Sequence, residues 1–145
     1  MKKQKEFNTN YNKFKESLKN INTDKYNIYV SSSIEETPFL RDVEITSTLK
    51  KVNNEKGIDL VIMSVSNNCP LAKRYCSKNS IEIQRLGSSK TLDTFLQTLK
   101  FLKENPEKKK ILNLTEKRYA SELEGHFKKS GFETELVYKR DKKSY

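Results

Sequence analysis

The sequence has no tryptophan, one histidine and two cysteines in 145 residues. Cys69, Cys76 and His126 cannot complete a standard four-ligand zinc site without carboxylates. Polar residues follow Met1-Lys2-Lys3-Gln4-Lys5, so no apolar signal region is visible. The longest unbroken apolar run, residues 60–63, is far too short to span a bilayer. These absences lead to the expectation of a soluble cytoplasmic protein with reduced thiols, no metal and no membrane partner.

What is present is charge. Hydrophobic residues make up 34% and charged residues 33%, with 29 Lys and Arg against 19 Asp and Glu. The net charge of +10 suits phosphates or an acidic protein. Lys108-Lys109-Lys110 and Lys139-Arg140 with Lys142-Lys143 are candidate nucleic-acid contacts, and Tyr26, Tyr29, Tyr75, Tyr119 and Tyr138 could stack bases if exposed. The lysines are nevertheless scattered, which equally fits a generally solvated surface. The regular recurrence of Ile, Leu, Val, Phe and Tyr argues for one folded domain over residues 1–145, with a frayed basic tail at 139–145.

Phe7, Tyr11, Phe14, Leu18 and Ile21, spaced 4, 3, 4, 3, predict a helix over residues 5–20 with its stripe turned inward. A short strand is expected at 27–32. Residues 43–52 fit two patterns. Val43, Ile45, Ser47 and Leu49 alternate with polar residues, as in a half-buried strand. A helix over 39–52 would instead bring Leu40, Val43, Leu49 and Val52 near one side. The strand reading is preferred, making a hairpin with the apolar run at 58–65 across Asn53-Asn54-Glu55-Lys56-Gly57. Residues 67–79 form a polar connection with room for one helical turn. A strand at 80–86, a helix capped by Ser89 and closed by Asn105-Pro106, a strand at 110–114, a helix capped by Thr115 and a strand at 133–138 complete the chain.

The last helix ends His126-Phe127-Lys128-Lys129-Ser130-Gly131-Phe132. With Gly131 left-handed at C′, Phe132 and Phe127 occupy the two positions that touch in a Schellman stop. The strand–loop–helix–strand–helix–Gly-Phe–strand order over 81–138 resembles the second half of the GNAT-type N-acetyltransferases. That resemblance implies an α/β domain with a mixed, largely antiparallel sheet flanked by helices. It also implies acetyl-CoA as cosubstrate, its pyrophosphate held by Leu86, Gly87, Ser88, Ser89, Lys90 and Thr91 at a helix N-terminus. A doubly wound α/β sheet is the alternative if residues 39–52 are helical.

A helix N-terminus offers free N–H donors and the positive end of the helix dipole to a phosphate. An ordinary strand-to-helix turn would use the same small residues. Catalysis would require a general base, for which Glu82 on the neighbouring strand is the candidate. His126 is read first as a surface residue at a helix C-terminus. The sequence departs from the family in having a single loop glycine, Leu92 where a small residue is expected, and Phe127 where many members carry a proton-donating tyrosine. The expectation is therefore an acyl-CoA-dependent N-acetyltransferase-like protein, active or degenerate. The alternative is a non-enzymatic basic protein that binds nucleic acid or blocks a macromolecular partner.

Overall fold

The computed structural model describes residue 16 and residues 18–137. The helix expected over 5–20 and the tail at 139–145 fall largely outside them. Five strands and four α-helices alternate: β1 (Asn27–Ser32), α1 (Pro38–Lys56), β2 (Leu60–Ser64), α2 (Pro70–Lys78), β3 (Glu82–Arg85), α3 (Thr91–Glu104), β4 (Lys110–Thr115), α4 (Ala120–Lys129) and β5 (Glu133–Leu136). The strands form one sheet of order β3-β2-β4-β1-β5. Every pairing is parallel, which overturns the expected mixed, largely antiparallel sheet.

The error lies at residues 43–52, which are helical and form the middle of α1. Pro38 suits the first helical turn, where its missing N–H costs nothing. The hydroxyls of Thr46 and Thr48 donate to the carbonyls of Asp42 and Glu44, four residues back, at 2.8 and 3.1 Å. That satisfies two polar side chains whose β-branching had argued for a strand. The inward stripe is Ile45, Leu49 and Val52 at i, i+4 and i+7, whereas Val43, which the alternation placed inside, is 37% exposed. No hairpin can form with a helix in place of its first strand. The segment 67–79 likewise holds a nine-residue helix rather than a turn.

The helices cover both faces. Ile45, Leu49 and Val52 of α1, with Ala72 and Cys76 of α2, pack on Tyr29, Val61, Met63, Leu112 and Leu114. Phe95, Leu99 and Leu102 of α3, with Ala120, Leu123 and Phe127 of α4, pack on Ile28, Val30, Leu60, Ile62 and Ile111. The chain moves toward the β3 edge through α1 and α2, then returns toward β5 through α3 and α4 on the opposite face. Reversing direction and face together keeps every crossover of one hand, the condition that parallel connections obey. The result is the doubly wound arrangement.

The helix stop at Gly131 matches the expectation. Its φ is +98°, Phe132 N–H donates to the Phe127 carbonyl and Gly131 N–H to that of Lys128, both at 3.1 Å. The Phe127 and Phe132 rings meet edge-on at 5.6 Å between centroids. Thr115 does not cap α4. It ends β4, and a 3₁₀ turn at Lys117–Tyr119 intervenes.

Candidate functional site

Each of the three central strands ends in a hydroxyl residue. Ser32 of β1 and Ser64 of β2 both pair in register with Thr115 of β4. Paired residues project to the same side of a sheet, so Ser32, Thr115 and Ser64 form a row across its carboxyl end. The row lies on the α3/α4 side, because Val30, Asn113 and Ile62, two residues back along each strand, belong to that face. All three are 5% exposed or less.

Helix α3 sets a second line of polar groups against this row. Thr91, Thr94 and Thr98 repeat at i, i+3 and i+7 and are all buried. Thr98 Oγ1 donates to Asn113 Oδ1 at 3.2 Å, or to the Thr94 carbonyl at 2.8 Å. Thr94 Oγ1 bonds Ser64 Oγ at 3.1 Å. The Thr98–Asn113 and Thr94–Ser64 contacts step toward the carboxyl end of the sheet, and Thr91 begins the helix one turn further on. Ser32 Oγ, Thr115 Oγ1, Asn113 Nδ2 and Thr91 Oγ1 have no hydrogen-bond partner within the protein. An unpaired buried hydroxyl or amide costs about 1–3 kcal/mol, so four such groups together mark this end of the sheet as a place where water or a ligand would be stabilising.

The connections place this row at a crevice. The chain leaves β1 and β2 for one face and β4, which lies between them, for the other. The connections therefore diverge on both flanks of β4, and ligands of open α/β sheets bind outside the strand ends at such switch points. An open depression of about 500 Å³ adjoins Glu116, Lys117 and Arg118, directly after β4.

The surrounding loops are well held. Glu44, 3% exposed, accepts from Ser33 Oγ and from the backbone N–H groups of Ile34 and Glu35, at 2.8 and 3.3 Å for the latter two. Asp42 accepts from Leu71 N–H at 2.8 Å and Ala72 N–H at 3.1 Å. It thereby caps α2 from a different helix, where Cys69, the local N-cap residue, is left-handed with φ +51° and gives no side-chain cap. Arg41 pairs with Glu116 at 3.6 Å, tying α1 to the loop after β4, and Glu116 also accepts from Ser66 N–H. Arg85 donates to the Asn68 carbonyl at 2.9 Å.

The residues singled out in sequence are divided between the two ends of β3. Glu82 starts the strand, accepts from Gln84 Nε2 at 2.7 Å and lies 3.8 Å from Lys108 Nζ. Leu86 follows the other end, about 13 Å further along the strand at its usual rise. Leu86 N–H is occupied by the Met63 carbonyl at 2.9 Å, so the β2–β3 ladder continues to that point without splaying. Gly87 has φ +69° and open space beside it. Ser89 Oγ turns back to the Leu86 carbonyl, and Lys90, rather than Ser89, is the N-cap of α3. Ser88 and Lys90 are exposed, whereas Thr91 is buried with its hydroxyl unsatisfied. Thr91 alone of the group belongs to the buried polar array. Sequence reasoning missed Ser32, Ser64, Asn113 and Thr115. Their signal was three apolar strand patterns each ending in Ser or Thr: Ile-Tyr-Val-Ser-Ser, Val-Ile-Met-Ser and Leu-Asn-Leu-Thr.

Both cysteines are free and buried. Burial pushes the Cys76 thiol up to about 11 and raises that of Cys69, so neither is a ready nucleophile. No group of three or more His, Cys, Asp or Glu suited to a metal ion occurs among the described residues, and none of their helices is long and apolar enough to cross a membrane. No protein-family model, curated protein or solved structure matches the chain.

Proposed function

We propose that the protein binds a phosphorylated small molecule of the nucleotide or coenzyme class in the crevice flanking β4. The observation that carries this reading is the set of four unsatisfied buried polar groups, Ser32 Oγ, Thr115 Oγ1, Asn113 Nδ2 and Thr91 Oγ1, at the switch point of a parallel sheet. The hydroxyls can donate or accept and the amide nitrogen can donate, which suits a ligand rich in oxygen acceptors. Phosphate is favoured by the N-terminus of α3, which Thr91 begins, and by exposed Lys90, Lys117 and Arg118 on adjoining loops.

Acetyl-CoA belongs to this ligand class, and N-acetyl transfer remains the specific activity to test. Its base would have to be a group other than Glu82, which sits at the amino end of β3. Two buried reduced thiols suit a cytoplasmic setting, where we place the protein. The reading is tested by calorimetric titration with ATP, NAD and acetyl-CoA, with melting temperatures measured in parallel. A ligand that binds only the folded state raises the melting temperature by mass action. At least one of the three is expected to give both heat and a thermal shift, and Thr115→Val is expected to weaken it. Absence of heat and shift with all three at millimolar concentration would refute the reading.

A further inference from the structure

Phe39, Leu40 and Val43, at 69, 46 and 37% exposure, are the exposed large hydrophobic residues among those described. They share the first turns of α1. Beside them a groove of about 360 Å³ runs between α1 and α2. Its walls follow helical spacing: Val43 and Lys50 are seven residues apart on α1, while Leu71, Arg74, Tyr75 and Lys78 stand at i, i+3, i+4 and i+7 on α2. Both helices return antiparallel to the same parallel strands, so they run side by side in one direction. The groove is consequently apolar at one end, where Val43 and Leu71 lie, and cationic at the other, with exposed Phe39 one helical turn before Val43. No acidic residue lines it. Tyr75 is held in the wall by Asn53 Nδ2, 3.0 Å from its hydroxyl, and Lys50 lies 6.0 Å from its ring centre.

We infer that this groove docks an amphipathic helix of a partner protein, with apolar residues at one end and Asp or Glu at the other. From Val43 to Lys50 the groove spans about 10 Å, or two helical turns, and Phe39 extends the apolar end by one turn more. Charge selects the occupant. The chain's first fifteen residues carry five lysines against one glutamate, and its last eight carry three lysines and an arginine against one aspartate. Neither end complements a cationic groove. A second copy, itself at +10, would bring Lys50, Arg74 and Lys78 toward the same cations. Nucleic acid would satisfy those cations but leave the Val43–Leu71 end and the neighbouring Phe39 uncovered, whereas an amphipathic helix fills both ends, as in helix-in-groove recognition.

The probe is a fluorescein-labelled helical peptide of about 18 residues, with leucines at i, i+4 and i+7 on its first half and glutamates on its second. Polarisation should report saturable binding by the full chain. Val43→Asp should weaken it by about tenfold, because it buries an unpaired charge in the interface. Arg74→Glu should weaken it by a similar factor, while the same peptide with lysines for glutamates should not bind. Val43 and Arg74 are exposed, so both variants should keep the parent melting temperature, and Phe39→Ser supplies a second apolar test if either does not. Four results would overturn the inference: equal binding of the acidic and lysine peptides, insensitivity to Val43→Asp and Phe39→Ser, displacement by a single-stranded oligonucleotide that itself binds more tightly, or a dimer abolished by Val43→Asp.

Discussion

The two faces of the sheet bury polar groups differently, although Ser31 Oγ on the α1/α2 side is without a partner as well. On the α1/α2 side, Asp42 and Glu44 are buried carboxylates whose backbone partners are in place: two N–H groups at the start of α2 and two in the β1–α1 loop. On the α3/α4 side, Ser32, Asn113, Thr115 and Thr91 are just as deeply buried, yet each has a side-chain atom with no partner. A buried polar group that meets its own backbone is architecture. One left unmatched at the carboxyl end of a parallel sheet is, on the function proposed above, capacity held for a ligand. Residue type and burial alone do not separate the two kinds.

The sharpest test of this contrast is to remove a satisfied group. Asp42→Ala strips the cap from α2 and strands two N–H groups beneath a helix. Charge-assisted hydrogen bonds contribute about 1.5–3 kcal/mol each, and a loss of roughly 3 kcal/mol is expected in urea denaturation. Asp42→Asn retains one acceptor and should lose about half as much. Glu44→Ala should resemble Asp42→Ala. A change under about 0.5 kcal/mol in both alanine variants would erase the difference between the faces, since only surface substitutions are normally that mild.

Next in size is the helix stop. Gly131→Ala forces a left-handed alanine and sets its Cβ 3.0 Å from Thr23 Oγ1. The expected cost is about 1–2 kcal/mol. Thr23→Ala in the same background should recover the steric part and leave the backbone part, which a double-mutant cycle would separate.

The Gly131 stop was fully legible in the sequence because its signal is local: one glycine with two aromatics at fixed offsets. The strand ending at Ser32 and the helix break at Asn105-Pro106 were legible for the same reason. The parallel sheet was not. It turned on residues 43–52, where Ile, Thr and Val satisfy strand alternation and helical spacing at once. The decision came from groups far away in sequence, the loop N–H groups that Glu44 serves and the α2 N-terminus that Asp42 serves. Read locally, Glu44 looked like part of the polar face of a strand, and Asp42 lay just before it. The site was hidden by the same distance dependence. Ser32, Ser64 and Thr115 become neighbours only once β4 is known to lie between β1 and β2.

A pH effect should follow from the α1/α2 core. Burial raises Cys76 from 9.0 to about 11. Above pH 9 the unfolded thiol releases its proton while the folded one retains it, so stability must fall as pH rises from 9 toward 11. The expected loss is about 1 kcal/mol by pH 10, after subtracting the slope of Cys76→Ala, which removes this thiol but leaves the tyrosines and lysines. Parallel slopes for the two proteins would mean that Cys76 does not contribute.

The smallest expected effect on stability carries the most information about the site. Thr115→Val replaces a hydroxyl with a methyl of nearly the same shape, at a position 1% exposed. Were Thr115 a satisfied structural group like Asp42, losing its hydroxyl would cost about 1 kcal/mol or more. Because Thr115 Oγ1 has no protein partner, the unliganded variant should match the parent or gain a few tenths of a kcal/mol through relief of desolvation. Ser32→Ala should behave in the same way. The two substitutions should nevertheless weaken whichever of ATP, NAD or acetyl-CoA stabilises the parent, by about 1 kcal/mol each if their hydroxyls meet the ligand. A stability loss in the unliganded state together with unchanged ligand affinity would place Thr115 with Asp42 and Glu44, and the row at the strand ends would be part of the scaffold rather than the floor of a site.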